Sequence, residues 1–369
     1  MINRTASLPF AALLLAGLLF ITGCDLTPLD SDTINVETSD VVVANAGAFG
    51  GQNSSFTFID PNVEEGGAVT RGEGEFASYI QSHILLDERY LAVFGETASI
   101  GLFDLETQDQ LGLVEGIPNP RYAISDGAVA YVTSKDFSGE GQPGVYVVDV
   151  ANRAVVDTTL LDRNPEGLTG TQNEIYVTTG EQDGEIVVIN RANNEIVNRI
   201  DPECDTPRQV YRTAEENLAV ACTGATIFDE DFNVVEETDG AIRIIDRANG
   251  EILAREDLSG QLTSASAQQR VFFTRILNEL YVVLNGNTVV RYDASTGNRE
   301  DIAIEGPPIG AIAVDAVNEV MYLGRPDEAN PFGAAGVVTV NEFGGAELTS
   351  YDAGIAPGHI ALRITQSEQ

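Results

Sequence analysis

Lysine is almost absent from this chain: of its 20 basic residues only Lys135 is a lysine, and the rest are arginine. Tryptophan is missing, and there are only two histidines, His83 and His359, and three cysteines. Each shortage excludes something. A nucleic-acid surface needs clustered Lys and Arg to neutralise phosphates, and 20 basic residues against 57 acidic ones leave no general basic face. Two histidines without a Cys-x-x-Cys pair give zinc little to bind. There is no Gly-x-Ser-x-Gly elbow to pair a nucleophile with either histidine. No glycine-rich phosphate loop leads from a strand into a helix.

What the chain has in excess is acid, with a formal net charge of -37. Acidic excess with near-absent lysine points to adaptation to high salt, where hydrated carboxylates keep the surface soluble and dense counterions screen their repulsion. The chain opens "MINRTASLPFAALLLAGLLFITGC". A short positive start and an apolar run ending in small residues form an export signal, too short for a confident spanning helix. Ile21-Thr22-Gly23-Cys24 resembles the bacterial lipobox, which implies acylation of the Cys24 thiol and cleavage before it. The acyl chains would hold an otherwise soluble domain at a bilayer, on the periplasmic or the cell-surface side. Asp25 is similar to the inner-membrane retention signal of enteric bacteria, and the choice between inner and outer membrane stays open. The expected organisation is a signal peptide over 1–23, an acidic tether over 24–39, a folded domain over 40–365 and a tail over 366–369.

The remaining cysteines, Cys204 and Cys222, form an even pair in an exported protein, and a disulfide is the natural reading. Cys204 precedes one expected strand and Cys222 ends the next, which places them side by side in an antiparallel hairpin.

The folded region repeats. Apolar runs ending in Asp or Asn recur at Asp60, Asp104, Asp149, Asn190, Asp246, Asp293 and Asn341. Each is preceded by a second run such as "VVVANAG", "EIYVTTG" or "LYVVLNG". Val, Ile, Tyr and Phe dominate, as in sheets covered on both faces. The terminal Asp or Asn suits an Asx-turn into an outer strand and is a turn former before anything else. Seven copies at this period predict an all-β fold, a seven-bladed β-propeller of four-stranded antiparallel blades. Inner strands are expected after proline, at "NPRYAIS", "NPEGLTG", "TPRQVYR" and "PPIGAIAV". The first blade lacks such a segment, and "APGHIALRI" at the far end supplies one. The C-terminal strand is therefore expected to complete the N-terminal blade and remove the free edges.

The stretch "PEGLTGTQNEIYVTTGEQDGEIVVINRANNEIVNRI" resembles the repeat of YVTN-type propellers, which are related to bacterial surface-layer and secreted lipoprotein propellers. The resemblance spans roughly residues 40 to 365, and its motifs are structural. It implies a propeller and carries no catalytic residue to this chain.

Candidate site residues follow from position. Arg121 and Arg208 share the place after the inner-strand proline, while Arg270 and His359 begin comparable strands. Ringed around a channel mouth, they would offer charge-assisted hydrogen bonds to a small anionic ligand; paired with neighbouring acids, they would instead stitch the blades together. His83, in "YIQSHILLDERY", is expected in the turn after an inner strand, as a surface or packing residue. Asp229, Asp231 and Asn233 alternate as in a calcium loop, without the glycine and final glutamate of an EF-hand, in an insertion better read as a solvated acidic loop. With "SKDFSGEGQPG" and "RPDEANPFGAAG", this insertion should crowd one face of the disk, where a binding surface would lie. The reading is a lipid-anchored, monomeric envelope module that binds an envelope protein or a small anionic ligand. No cofactor other than calcium is considered, and no catalytic residue is assigned. The alternative is a propeller enzyme, a lactonase-like hydrolase or a cofactor-dependent dehydrogenase.

Overall fold

Val41, Val42, Val43 and Ala44 are successive residues of one strand, and all four are buried. A strand can bury consecutive side chains only if both of its faces are covered. Val41 and Val43 pack with Ala311, Ala313, Tyr322 and Val338 on one side. Val42 and Ala44 pack with Ile80, Tyr90, Ala92 and Phe94 on the other. The same division recurs at residues 218–222, where Ala219 and Ala221 face one neighbour and Leu218, Val220 and Cys222 the other. Each sheet is thus a blade wedged between two blades. A fully buried Val or Leu side chain is worth about 1.5–3 kcal/mol, so these seams hold the ring.

The computed structural model describes residues 34–368, apart from 64–66, 73–75, 77, 137–141 and 263–267. Val36–Gln366 forms one compact unit. The signal segment, Cys24 and the tether up to residue 33 lie outside the described residues. Seven four-stranded antiparallel sheets make a seven-bladed propeller. The inner strands of blades 2 to 7 are Ile80–Leu86, Pro120–Ser125, Pro165–Gly170, Pro207–Arg212, Val271–Thr274 and Ala311–Asp315. Blade 1 takes its inner strand, Pro357–Glu368, from the end of the chain, beside Ile34–Asn45 as the second strand. The ring is closed as the sequence suggested. Ala46 and Gly47 donate to the carbonyls of Ala356 and Ile355 at 2.8 and 3.0 Å, and Arg363 meets Asp40 at 3.5 Å. Strand structure begins at Ile34 and runs to Glu368, so it reaches beyond the expected 40–365 at both ends.

The repeated Asp and Asn residues are the turns they resembled. Side-chain oxygens of Asp60, Asp104, Asn190, Asp246 and Asp293 each accept the N–H two residues on, at 2.7 to 3.0 Å, and Asp149 accepts that of Asn152 at 2.8 Å. Asn341 departs from the pattern. It is buried, and its amide donates to the Gly345 carbonyl at 3.0 Å.

Candidate ligand-binding face

In a four-stranded blade the inner strand starts on the face where the second strand ends. That face therefore carries the inner-strand N-termini and every connection from second to third strand. All three insertions singled out in the sequence are such connections. Residues 223–240, expected as a solvated acidic loop, are exposed over 228–237 and fold part of their length into a small hairpin, Thr226–Phe228 paired with Val234–Glu237. Asp229 closes its tip: one carboxylate oxygen accepts the N–H groups of Asp231 and Asn233, each at 2.9 Å, and the Asn233 amide donates to the other at 3.1 Å. The alternation at 229, 231 and 233 builds a turn. Among the described residues no group of three or more His, Cys, Asp or Glu is placed to hold a metal ion.

Gln81, Arg121, Glu166 and Arg208 are each the second residue of an inner strand, in four consecutive blades. Arg121 donates to Gln81 Oε1 at 2.6 Å and to Glu166 Oε2 at 3.2 Å. Lys135 forms an ion pair with Glu166, and Arg208 approaches the same carboxylate at 3.5 Å. Glu166 is buried. Burial alone would raise its pKa, but Arg121, Arg208 and Lys135 outweigh this and hold it down at about 2. The single lysine of the chain is thus spent inside an ion cluster. Burial and the neighbouring arginines lower its own pKa against the pull of Glu166.

Arg270 lies just before the inner strand of blade 6. Burial and then the charge of Arg208 lower its pKa. Arg208 and Arg270 share the lining of a cavity of about 20 Å³, room for roughly one water. Arg270 also lines an open cleft of about 590 Å³ with Glu237, Asp239, Gln261 and Asn285. Gln269 sews three blades together beside it. Its N–H donates to Gly358 at 2.7 Å, its carbonyl accepts from Ile312 at 2.9 Å, and its side chain accepts from Ile360 at 2.9 Å.

His83 corrects an expectation: it sits in the middle of the inner strand of blade 2 and is fully buried. No proline marks the start of that strand, and the turn falls later, at Asp87 and Glu88. Its Nε2 meets the Val42 carbonyl at 3.1 Å, which assigns the proton to that nitrogen. Its ring contacts His359 edge to face, and neither Nδ1 has a hydrogen-bond partner among the described residues. Burial lowers the His83 pKa to about 3 against the Val42 hydrogen bond, and burial with the charge of His83 lowers that of His359.

The structure therefore brings Arg121 and Arg208 together on Glu166, places Arg270 beside Arg208, and sets His359 against His83 instead. Glu166, Gln81 and Gln269 were not legible as site residues. The one signal for Glu166 was its place after Pro165, matching Arg121 after Pro120 and Arg208 after Pro207. Cys204 and Cys222 are bonded, with Cα atoms 6.1 Å apart.

Comparison with solved structures places this geometry in wide company. Hydrazine synthase from Kuenenia stuttgartiensis matches with a TM-score of 0.61 at 14% identity, over 79% of this chain and 95% of that one. A protein of unknown function from Desulfotomaculum acetoxidans matches with a TM-score of 0.62 at 12% identity, over 88% and 99%. The computationally designed Ika8 protein gives 0.56 at 14% identity, over 87% and 95%. What they share with this chain is the fold. No family model and no curated protein matches the sequence. With 1539 solved chains matching, the architecture leaves activity undetermined, and any function has to be argued from the site.

Proposed function

We propose that this chain is an exported, lipid-anchored propeller of the YVTN type, a monomeric binding module that takes a small anionic ligand or an envelope protein at its channel mouth. The observation that carries the anion reading is the pairing of Arg208 with Arg270. Arg208, on the inner strand of blade 5, and Arg270, just before that of blade 6, line one small cavity, and Arg270 also lines the larger open cleft. A carboxylate or phosphate in the cleft, at the mouth of that cavity, would offset the charge the two arginines place together and accept bidentate hydrogen bonds from Arg270. Arg121 and Arg208 both reach Glu166 and hold neighbouring blades together, and Arg208 with Arg270 forms the cationic edge of the site. The Cys24 anchor and the acidic surface fit a module that works at the envelope of a cell living in salt.

Titration with inorganic phosphate and with malonate, followed by the melting temperature in high potassium chloride, tests the reading. A saturable rise that disappears in Arg270→Gln supports it. A rise that equals that of chloride alone, or that persists in Arg270→Gln, overturns it.

A further inference from the structure

Among the described residues, four aromatic side chains are exposed: Phe49, Phe228, Phe232 and Phe332. All four belong to connections between a second and a third strand, in blades 1, 5 and 7. They therefore stand on one face of the disk, Phe49 and Phe332 on the adjacent blades 1 and 7, and Phe228 and Phe232 on blade 5 with blade 6 between. Single exposed apolar residues are ordinary, but a one-sided set of protruding aromatics is the composition of an interface. Phe232 adds an independent sign. It stands at the tip of the blade 5 hairpin with 86% of its surface exposed and a φ of 62°. That position closes a short hairpin and normally holds glycine, because a bulky side chain is strained there. An exposed, strained phenylalanine contributes nothing to the fold that glycine would not, which points to a role outside it.

We propose that this face docks a second protein whose contact surface combines apolar and cationic side chains. Charge identifies the occupant. Asp229, Glu230, Asp231, Glu236 and Glu237 are exposed around the hairpin phenylalanines, and Glu328 is exposed near Phe332. A second copy of this chain would bring like-charged rims together, and an anionic lipid surface would be repelled in the same way. A partner with Lys or Arg around an apolar patch meets both features, and in high salt the phenylalanines carry the affinity. The inference rests on reading the domain as an interaction module, and its phenylalanines lie outside the lining of the Arg270 cleft.

Three short peptides serve as probes, one alternating Phe with Lys, one Phe with Glu and one Ser with Lys. Binding is measured by fluorescence anisotropy at low salt and at about 1 M KCl, where screening reaches about 3 Å. The Phe/Lys peptide is expected to bind best and to keep measurable affinity in high salt. Phe232→Gly is expected to weaken it about tenfold, with a melting temperature equal to or above that of the parent. Phe232→Gly is expected to keep the parent's response to phosphate, which separates this binding from the anion site. The proposal is overturned if no peptide binding depends on Phe232, or if the Phe/Glu peptide binds as well. It is also overturned if sedimentation shows a dimer that Phe232→Gly dissolves, or if vesicles of phosphatidylcholine and phosphatidylglycerol bind in a Phe232-dependent way.

Discussion

His83 and His359 meet edge to face with ring centroids 4.9 Å apart, across the seam where the last strand of the chain joins the first blade to the second. The pair favours the neutral form of both imidazoles, because burial disfavours the charged form and a charge on one ring opposes a charge on the other.

Acid should therefore open this seam before it affects the rest of the ring. The folded-state pKa of His83 is lowered to about 3, below the unfolded value near 6.5, so the unfolded chain binds the proton more readily. The associated stability is fully present above about pH 6.5 and is lost as the pH falls towards 3. Denaturant titrations at pH 7 and 4.5 should differ by on the order of 2–3 kcal/mol from His83 alone. His83→Gln should flatten that difference.

Glu166→Gln should be among the most damaging single substitutions in the ring. It leaves Arg121, Lys135 and Arg208 around a site that no longer carries the compensating charge. Removing one partner of a buried ionic cluster costs about 3–5 kcal/mol. The urea midpoint at pH 7 should fall accordingly. The exposed Glu328→Gln should change it by no more than about 0.5 kcal/mol.

The disulfide gives a further expectation. Cys204 and Cys222 are 18 residues apart in sequence, and closing a loop of that size stabilises by about 3 kcal/mol in the chain-entropy account. The double Cys204→Ser, Cys222→Ser variant should lose about that much while keeping a native circular dichroism spectrum.

Salt should stabilise the protein. With a net charge of -37, the folded ring compresses mutually repelling carboxylates, and counterions relieve this. The melting temperature is expected to rise steadily from dilute buffer to molar KCl. A flat profile would remove the salt-adaptation reading.

How much of this could be read from the chain depends on the range of the interaction. The turns at Asp60, Asp104 and Asn190 are local, so an Asp or Asn after an apolar run announced them. The closing strand was legible because "APGHIALRI" repeats a motif that the first blade lacks. The ion cluster was not, since Arg121 and Glu166 lie 45 positions apart and come together only through the ring. His83 was misplaced because its blade opens with Tyr79-Ile80 and no proline. Gln269 carries no signal at all: its hydrogen bonds to Gly358 and Ile312 use mainly the backbone, which every residue has.

The closing strand also sets an order of events. Blade 1 takes its inner strand from Pro357–Glu368, so no ring exists until the last residues of the chain have been delivered. A chain emerging N-terminus first holds Ile34–Asn45 with one edge unpaired throughout synthesis. The strand that waits carries Val41, Val42, Val43 and Ala44, all buried once the ring is closed. Completion of the molecule is thus a single late event, and a chain truncated shortly before its end forfeits the ring rather than one blade of it.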